Sequence, residues 1–280
     1  MHPHLLRTPM FYACGIGLST LLLLSGFGRS HVASSSAYLG NAVARPVVVE
    51  LFTSEGCSSC PPADILLKEL SEQQPLEGVQ VVAFEEHVDY WNSLGWADPF
   101  SSSEFSARQR DYARAFGRDD VYTPQMIVDG KSELVGSRSL SAREAIYKAA
   151  VFPKFEVSLQ SVAEANPGEA LLDLRINNPN AVSPRGGLEL WAAVTERDLQ
   201  SDVKAGENSG ELLRHAPVMR SLRKLSVPAD VTGYQSQIRL PLDPRWKREH
   251  LTAVVFLADQ GSRQIIGVGL TSLGAPSARN

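Results

Sequence analysis

The chain has 280 residues, 43% of them hydrophobic and 21% charged, and its 27 Lys and Arg against 31 Asp and Glu give a formal net charge of −4. That composition supplies enough apolar surface for a core and excludes bulk disorder. No basic run or aromatic-interleaved basic patch is present, which excludes nucleic acid as a partner.

In chain order, residues 1–37 read as an export signal. A short basic start, Met1 to Arg7, precedes an apolar stretch from about Met10 to Leu24, and Ser35-Ser36-Ala37 offers a cleavage site. The stretch is short for a membrane span and is diluted by Gly15, Gly17 and Ser19; an uncleaved anchor is the competing reading. Cleavage predicts a periplasmic or secreted chain with no stable membrane insertion. It also removes Cys14, which has no lipobox-like context, and leaves Cys57 and Cys60 as the mature cysteines. In an oxidising compartment such a pair cycles, stays oxidised or holds a metal.

The β-branched run Val47 to Phe52 predicts a buried strand entering a tight loop at Thr53-Ser54-Glu55-Gly56. Cys57-Ser58-Ser59-Cys60 follows, and Pro61-Pro62 then suits the first turn of a helix, with Ile65, Leu66 and Leu70 on one side. Val79 to Phe84 predicts a second strand, ending in the polar and aromatic group Glu85 to Trp91. Residues 92–103 read as an inserted loop closed by a capping box, Ser101-x-x-Glu104. A helix to Phe116 follows, with Phe105, Gln109, Tyr112, Ala113 and Phe116 inward, Arg108, Arg110 and Arg114 solvated, and Gly117 as its stop. Gln125 to Val128, the Asp129-Gly130 turn and Lys131 to Val135 predict a hairpin. Ser141-x-x-Glu144 is read as the cap of a helix that ends at Pro153.

The order β-α-β-α-β-β-α over residues 46–152 is that of a minimal thioredoxin-like core. After Pro153 short alternating runs recur at 155–162, 172–176, 187–195, 234–242, 251–258 and 264–270, which suggests a β-sandwich or small barrel over 154–274 and a tail at 275–280. Trp191 and Trp246 are read as core aromatics. The expected fold class is therefore an α/β thioredoxin-like N-terminal domain plus a C-terminal all-β, sandwich-like domain.

A thiolate attacks disulfides, so a redox cysteine needs a group that stabilises negative charge, and a helix N-terminus does so. Cys57 is the candidate attacking thiol and Cys60 the resolving one. As a staple the pair is weak, since closing a four-residue loop contributes only about 2 kcal/mol. In a thioredoxin-like core the hairpin strand opens with a cis proline beside the cysteines; Pro124 holds that place and Thr123 precedes it. His87 and Asp89 alternate at the strand end and are candidates for proton transfer, or, in the case of His87, for a mixed Cys/His metal site. Of Glu85 and Glu86 at most one faces the cysteines, and a solvated pair is the expectation.

Val48 to Asp64, His87-Val88-Asp89-Tyr90-Trp91, Gly95 to Phe100, Arg108-Gln109 with Tyr112, Val121 to Met126 and Asp129-Gly130 together resemble the secreted bacterial family of unknown function 1223. The resemblance extends more weakly through the second half, including Gly206-Glu207-Asn208. It implies a thioredoxin-like fold and no established reaction. Glu85-Glu86 departs from the apolar or small residues expected before the His.

Three functions compete on this reading. The first is a thiol–disulfide oxidoreductase that needs no cofactor beyond its redox-active disulfide and acts on protein thiols or small disulfides with a redox partner protein. The second is a copper or zinc handling protein using Cys57, Cys60 and His87. The third is a non-catalytic binding module with a structural disulfide.

Overall fold

The structure is a computed structural model that describes residues 44–162 and 168–274. The expected export segment and the 275–280 tail lie outside the described residues. The first elements are β1 (Arg45–Thr53), α1 (Pro61–Gln73), β2 (Val79–His87), α2 (Ser103–Ala115), the hairpin of β3 (Gln125–Val128) and β4 (Ser132–Val135), and α3 (Ser139–Ala150). Their types and order follow the reading of the sequence. Nine strands come next: β5 (Phe155–Ser161), β6 (Glu169–Asn177), β7 (Leu188–Glu196), β8 (Gln200–Asp202), β9 (Leu212–Arg214), β10 (Val218–Leu225), β11 (Tyr234–Pro241), β12 (Leu251–Asp259) and β13 (Ile265–Ser272).

The expected fold class is overturned by how these strands pair. Eleven of them form one mixed sheet in the order β11-β6-β5-β13-β12-β7-β10-β2-β1-β3-β4, so there is no separate α/β thioredoxin-like layer and no separate sandwich. The joint is β10. Its Val218 pairs in parallel with Glu85 of β2, and the Glu85 N–H donates to the Pro217 carbonyl at 2.8 Å. Without β10, β2 would present unpaired backbone groups along an open edge.

Packing explains why the two halves merge. Val47, Val49 and Leu51 of β1 face α1 and α3 through Leu66, Leu67, Leu70, Ala142 and Ile146. The alternate face, Val48 with Val82 and Phe84, meets Phe105 of α2 and also Ala193, Met219, Phe256 and Ile265 from the later strands. The sheet therefore coils until its own strands cover β1, and both faces of β1 are buried from Val47 to Thr53. A second apolar cluster fills the other end, built from Leu172, Leu174, Ile176, Leu190, Val255 and Leu257 among others.

Smaller expectations are corrected as well. Ile65 is exposed and Leu67 takes its place in the core, because the buried stripe of α1 runs through Ala63, Leu66, Leu67 and Leu70. The cap of α2 is Ser102, whose hydroxyl accepts from the Glu104 N–H, and Ser101 instead donates to the Asp98 carbonyl. Helix α3 begins before Ser141, with Arg138 at its cap. Trp191 and Trp246 are half-buried and pack at the edges of the two later clusters. Among the described residues no helix is long and apolar enough to cross a membrane.

Candidate functional site

Cys57 and Cys60 form a disulfide in the turn that leads from β1 into α1. Cys60 is the N-cap of α1, Pro61 and Pro62 occupy the first turn where N–H groups lack helical partners, and the Cys57 carbonyl accepts from the Cys60 N–H. Both cysteines are fully buried. The Thr123 hydroxyl lies 3.4 Å from Cys57 Sγ and accepts from Trp91 Nε1 at 2.9 Å. The Thr123–Pro124 peptide is cis, as its place before β3 suggested. Ser59 Oγ also lies 3.4 Å from Cys57 Sγ.

One helical turn beyond Cys60 stands a residue the sequence analysis did not single out, Asp64. Its carboxyl is buried, accepts from the Thr53 hydroxyl at 2.7 Å, and shares the Cys60 side of the helix by its i, i+4 spacing. Burial, reinforced by the charge of Glu85, pushes its pKa up to about 8 against the opposing hydrogen bond from Thr53. That places a protonated acid behind the disulfide at neutral pH.

A cover over the disulfide comes from far along the chain. Between β7 and β10 the backbone makes an excursion through the small β8–β9 hairpin, and its loop carries Gly206-Glu207-Asn208. Asn208 Nδ2 donates to the carbonyls of Glu55 (2.8 Å) and Cys57 (3.0 Å), and the Glu207 carboxylate accepts from the Ser58 N–H and hydroxyl. Gly206 has φ +77° and a Cβ there would stand 3.0 Å from Trp96 Cβ, so the loop needs glycine to lie against Trp96.

Beneath the same loop lies a closed polar network. Glu85 Oε2 faces His87 Nε2 and His215 Nδ1, each at 3.1 Å. The far ring nitrogens also face carboxylates, His87 Nδ1 to Asp98 at 2.7 Å and His215 Nε2 to Glu55 at 3.1 Å. Trp96 Nε1 donates to Glu55, the Glu55 N–H donates to Asp98, and the Ala216 N–H donates to Glu85 Oε1. Burial disfavours a charged imidazole, yet hydrogen bonds to Glu55 and Glu85 hold His215 up at about 9. The charge and hydrogen bond of Asp98 likewise hold His87 well above its ordinary value against its own burial. For Glu85 burial pushes the pKa up, and the bonds from His215 and His87 outweigh it.

A second buried network occupies the other side of β2. Arg108 donates to Glu50, lies 3.4 Å from Glu86 and reaches the Tyr112 hydroxyl, which itself donates to Glu50 at 2.6 Å. The expectation that Arg108 is solvated is therefore wrong, as is the expectation of a solvated Glu85-Glu86 pair, since both carboxyls are fully buried on opposite faces. Burial holds Glu86 well above the usual carboxylate range.

Of the sequence-predicted site residues, Cys57, Cys60, Thr123 and Pro124 meet at one place. His87 is turned to Glu85 and Asp98, whereas Asp89 accepts from the Ser106 hydroxyl at 2.5 Å, so the two side chains have different partners. Asp64, Asp98, Glu55 and His215 were missed as site residues.

The family described as protein of unknown function (DUF1223) matches residues 48–258. The chain belongs to that family. A crystal structure of a protein from Agrobacterium tumefaciens is similar, with 28% identity and a TM-score of 0.60 over 84% of this chain and 96% of that one. HBP35 of Porphyromonas gingivalis shares the fold at 16% identity, with a TM-score of 0.57 over 84% of this chain and 78% of that one. No curated protein matches the sequence. The DUF1223 match spans β1 to β12, so the disulfide, the covering loop and the histidine network all lie inside it.

Proposed function

We propose that this DUF1223 chain is an exported thiol–disulfide oxidoreductase that exchanges electrons with protein thiols or small disulfides through Cys57 and Cys60. The observation that carries the reading is the buried acid Asp64, one turn behind Cys60 in the helix that the disulfide caps. A structural disulfide needs no such group. In the oxidising direction a substrate thiolate attacks Cys57 Sγ, a mixed disulfide forms, the Cys57–Cys60 bond breaks, and the Cys60 thiolate that leaves takes the Asp64 proton. A second substrate thiolate then attacks the mixed disulfide at the substrate sulfur and releases Cys57. In the reducing direction the same proton returns from the Cys60 thiol to Asp64 as Cys60 attacks. Access to Cys57 requires the loop carrying Glu207 and Asn208 to lift.

The complete burial of both cysteines favours one other reading, a non-catalytic binding chain whose disulfide pins its own turn. The purified chain, incubated with a reduced unfolded protein in a glutathione buffer and followed by thiol alkylation, separates the two. Catalysed disulfide formation or reduction above the glutathione background, lost in Cys57→Ser, supports exchange chemistry. A rate equal to background supports the pinned turn.

A further inference from the structure

We propose that Glu85, His87 and His215 form a binding site for one divalent transition-metal ion, with zinc the ion best suited to two imidazoles and one carboxylate. The proposal stands independently of the disulfide chemistry proposed above.

The geometry carries the inference. Glu85 Oε2, His87 Nε2 and His215 Nδ1 converge within 4.8 Å of one another, and both nitrogens stand 3.1 Å from the same oxygen. Ligand atoms at zinc distances of about 2.0–2.1 Å in a tetrahedron lie roughly 3.3 Å apart, close to the 3.1 Å that separates Glu85 Oε2 from each ring nitrogen.

The groups behind them are arranged as metal sites arrange them. Each imidazole holds a carboxylate on its other nitrogen, His87 to Asp98 and His215 to Glu55, which fixes the ring and leaves the inner nitrogen aimed at the shared centre. The free oxygen of Glu85 is held by the Ala216 N–H at 2.9 Å, which leaves Oε2 as a single ligand atom. Phe100 lies edge-on to both rings, with centroids 5.5 Å from His87 and 5.2 Å from His215, and helps shield the centre from water.

With an ion on the inner nitrogens, Asp98 and Glu55 remain acceptors for the outer N–H groups.

The test titrates the chelator-treated full chain with Zn(II) against a chromophoric competitor, both as purified and after refolding with Zn(II), because the site is buried. Co(II) serves as a spectroscopic reporter. One ion per chain is expected, with Co(II) giving the visible absorption of a low-coordinate nitrogen and oxygen site. Binding is expected to persist in the Cys57→Ser, Cys60→Ser double variant and to fall at least 100-fold in His215→Gln and Glu85→Gln. Circular dichroism checks that each variant folds, and His87→Gln replaces either one that does not. Failure of the folded wild-type chain to take up Zn(II) by either route, or binding that is lost with the cysteines and unmoved by the Gln variants, overturns the proposal.

Discussion

Replacing Asp64 by Asn tests the buried acid behind Cys60. A carboxyl whose folded pKa lies above its unfolded value keeps its proton more firmly in the fold, so its ionisation opposes folding. With values of 3.8 unfolded and about 8 folded, stability falls as pH rises from about 4 to about 8 and levels off above that. The penalty from this group is about 2 kcal/mol at pH 5 and about 4 kcal/mol at pH 7. Asn is neutral throughout, still accepts from Thr53, and escapes this penalty. Asp64→Asn is therefore expected to gain roughly 2–3 kcal/mol relative to wild type between pH 5 and pH 7. Urea unfolding of both oxidised proteins across that range reads the difference. A difference independent of pH would show that Asp64 is ionised in the fold and would remove it as the proton donor.

Three further measurements follow. Asn208→Ala strips hydrogen bonds from two buried carbonyls, at about 1–3 kcal/mol, so reduction of the disulfide by dithiothreitol should accelerate by about tenfold; an unchanged rate would mean that this loop does not control access. Arg108→Met leaves Glu50 buried without its cation, and urea unfolding should show a loss of about 3–5 kcal/mol; a loss under about 1 kcal/mol would contradict the pairing. Asp64→Asn should also slow disulfide exchange at pH 7 by about tenfold or more, read by stopped-flow with glutathione, while Asp89→Asn leaves it unchanged.

How much of this was legible in the sequence depends on range. Elements up to Ala150 are written locally, in the β-branched run of β1, the Pro61-Pro62 start of α1, the Asp129-Gly130 turn and the stop at Gly117. Strand β10 was not legible, because Arg220, Arg223 and Lys224 break the alternation that marks a strand. That one strand joins the two halves, so missing it turned one sheet into two expected domains. The cysteines were readable from their spacing between a strand and a helix, and Thr123 and Pro124 from their place before the hairpin strand. His215 was not: it sits in an irregular link before β10, and only the pairing of β10 with β2 brings it to Glu85, 130 residues away in sequence. Arg108 misled for a similar reason, since a charged residue on an amphipathic helix reads as solvated until Glu50 on another element is known to face it.

The reduction potential of the Cys57–Cys60 pair tests the central claim most directly. Equilibration of the full chain against glutathione redox buffers, with the two states separated by alkylation, should give a value between about −120 and −270 mV, the range of exchange-active dithiols. A pair that stays oxidised below about −300 mV would contradict the account and mark the disulfide as structural.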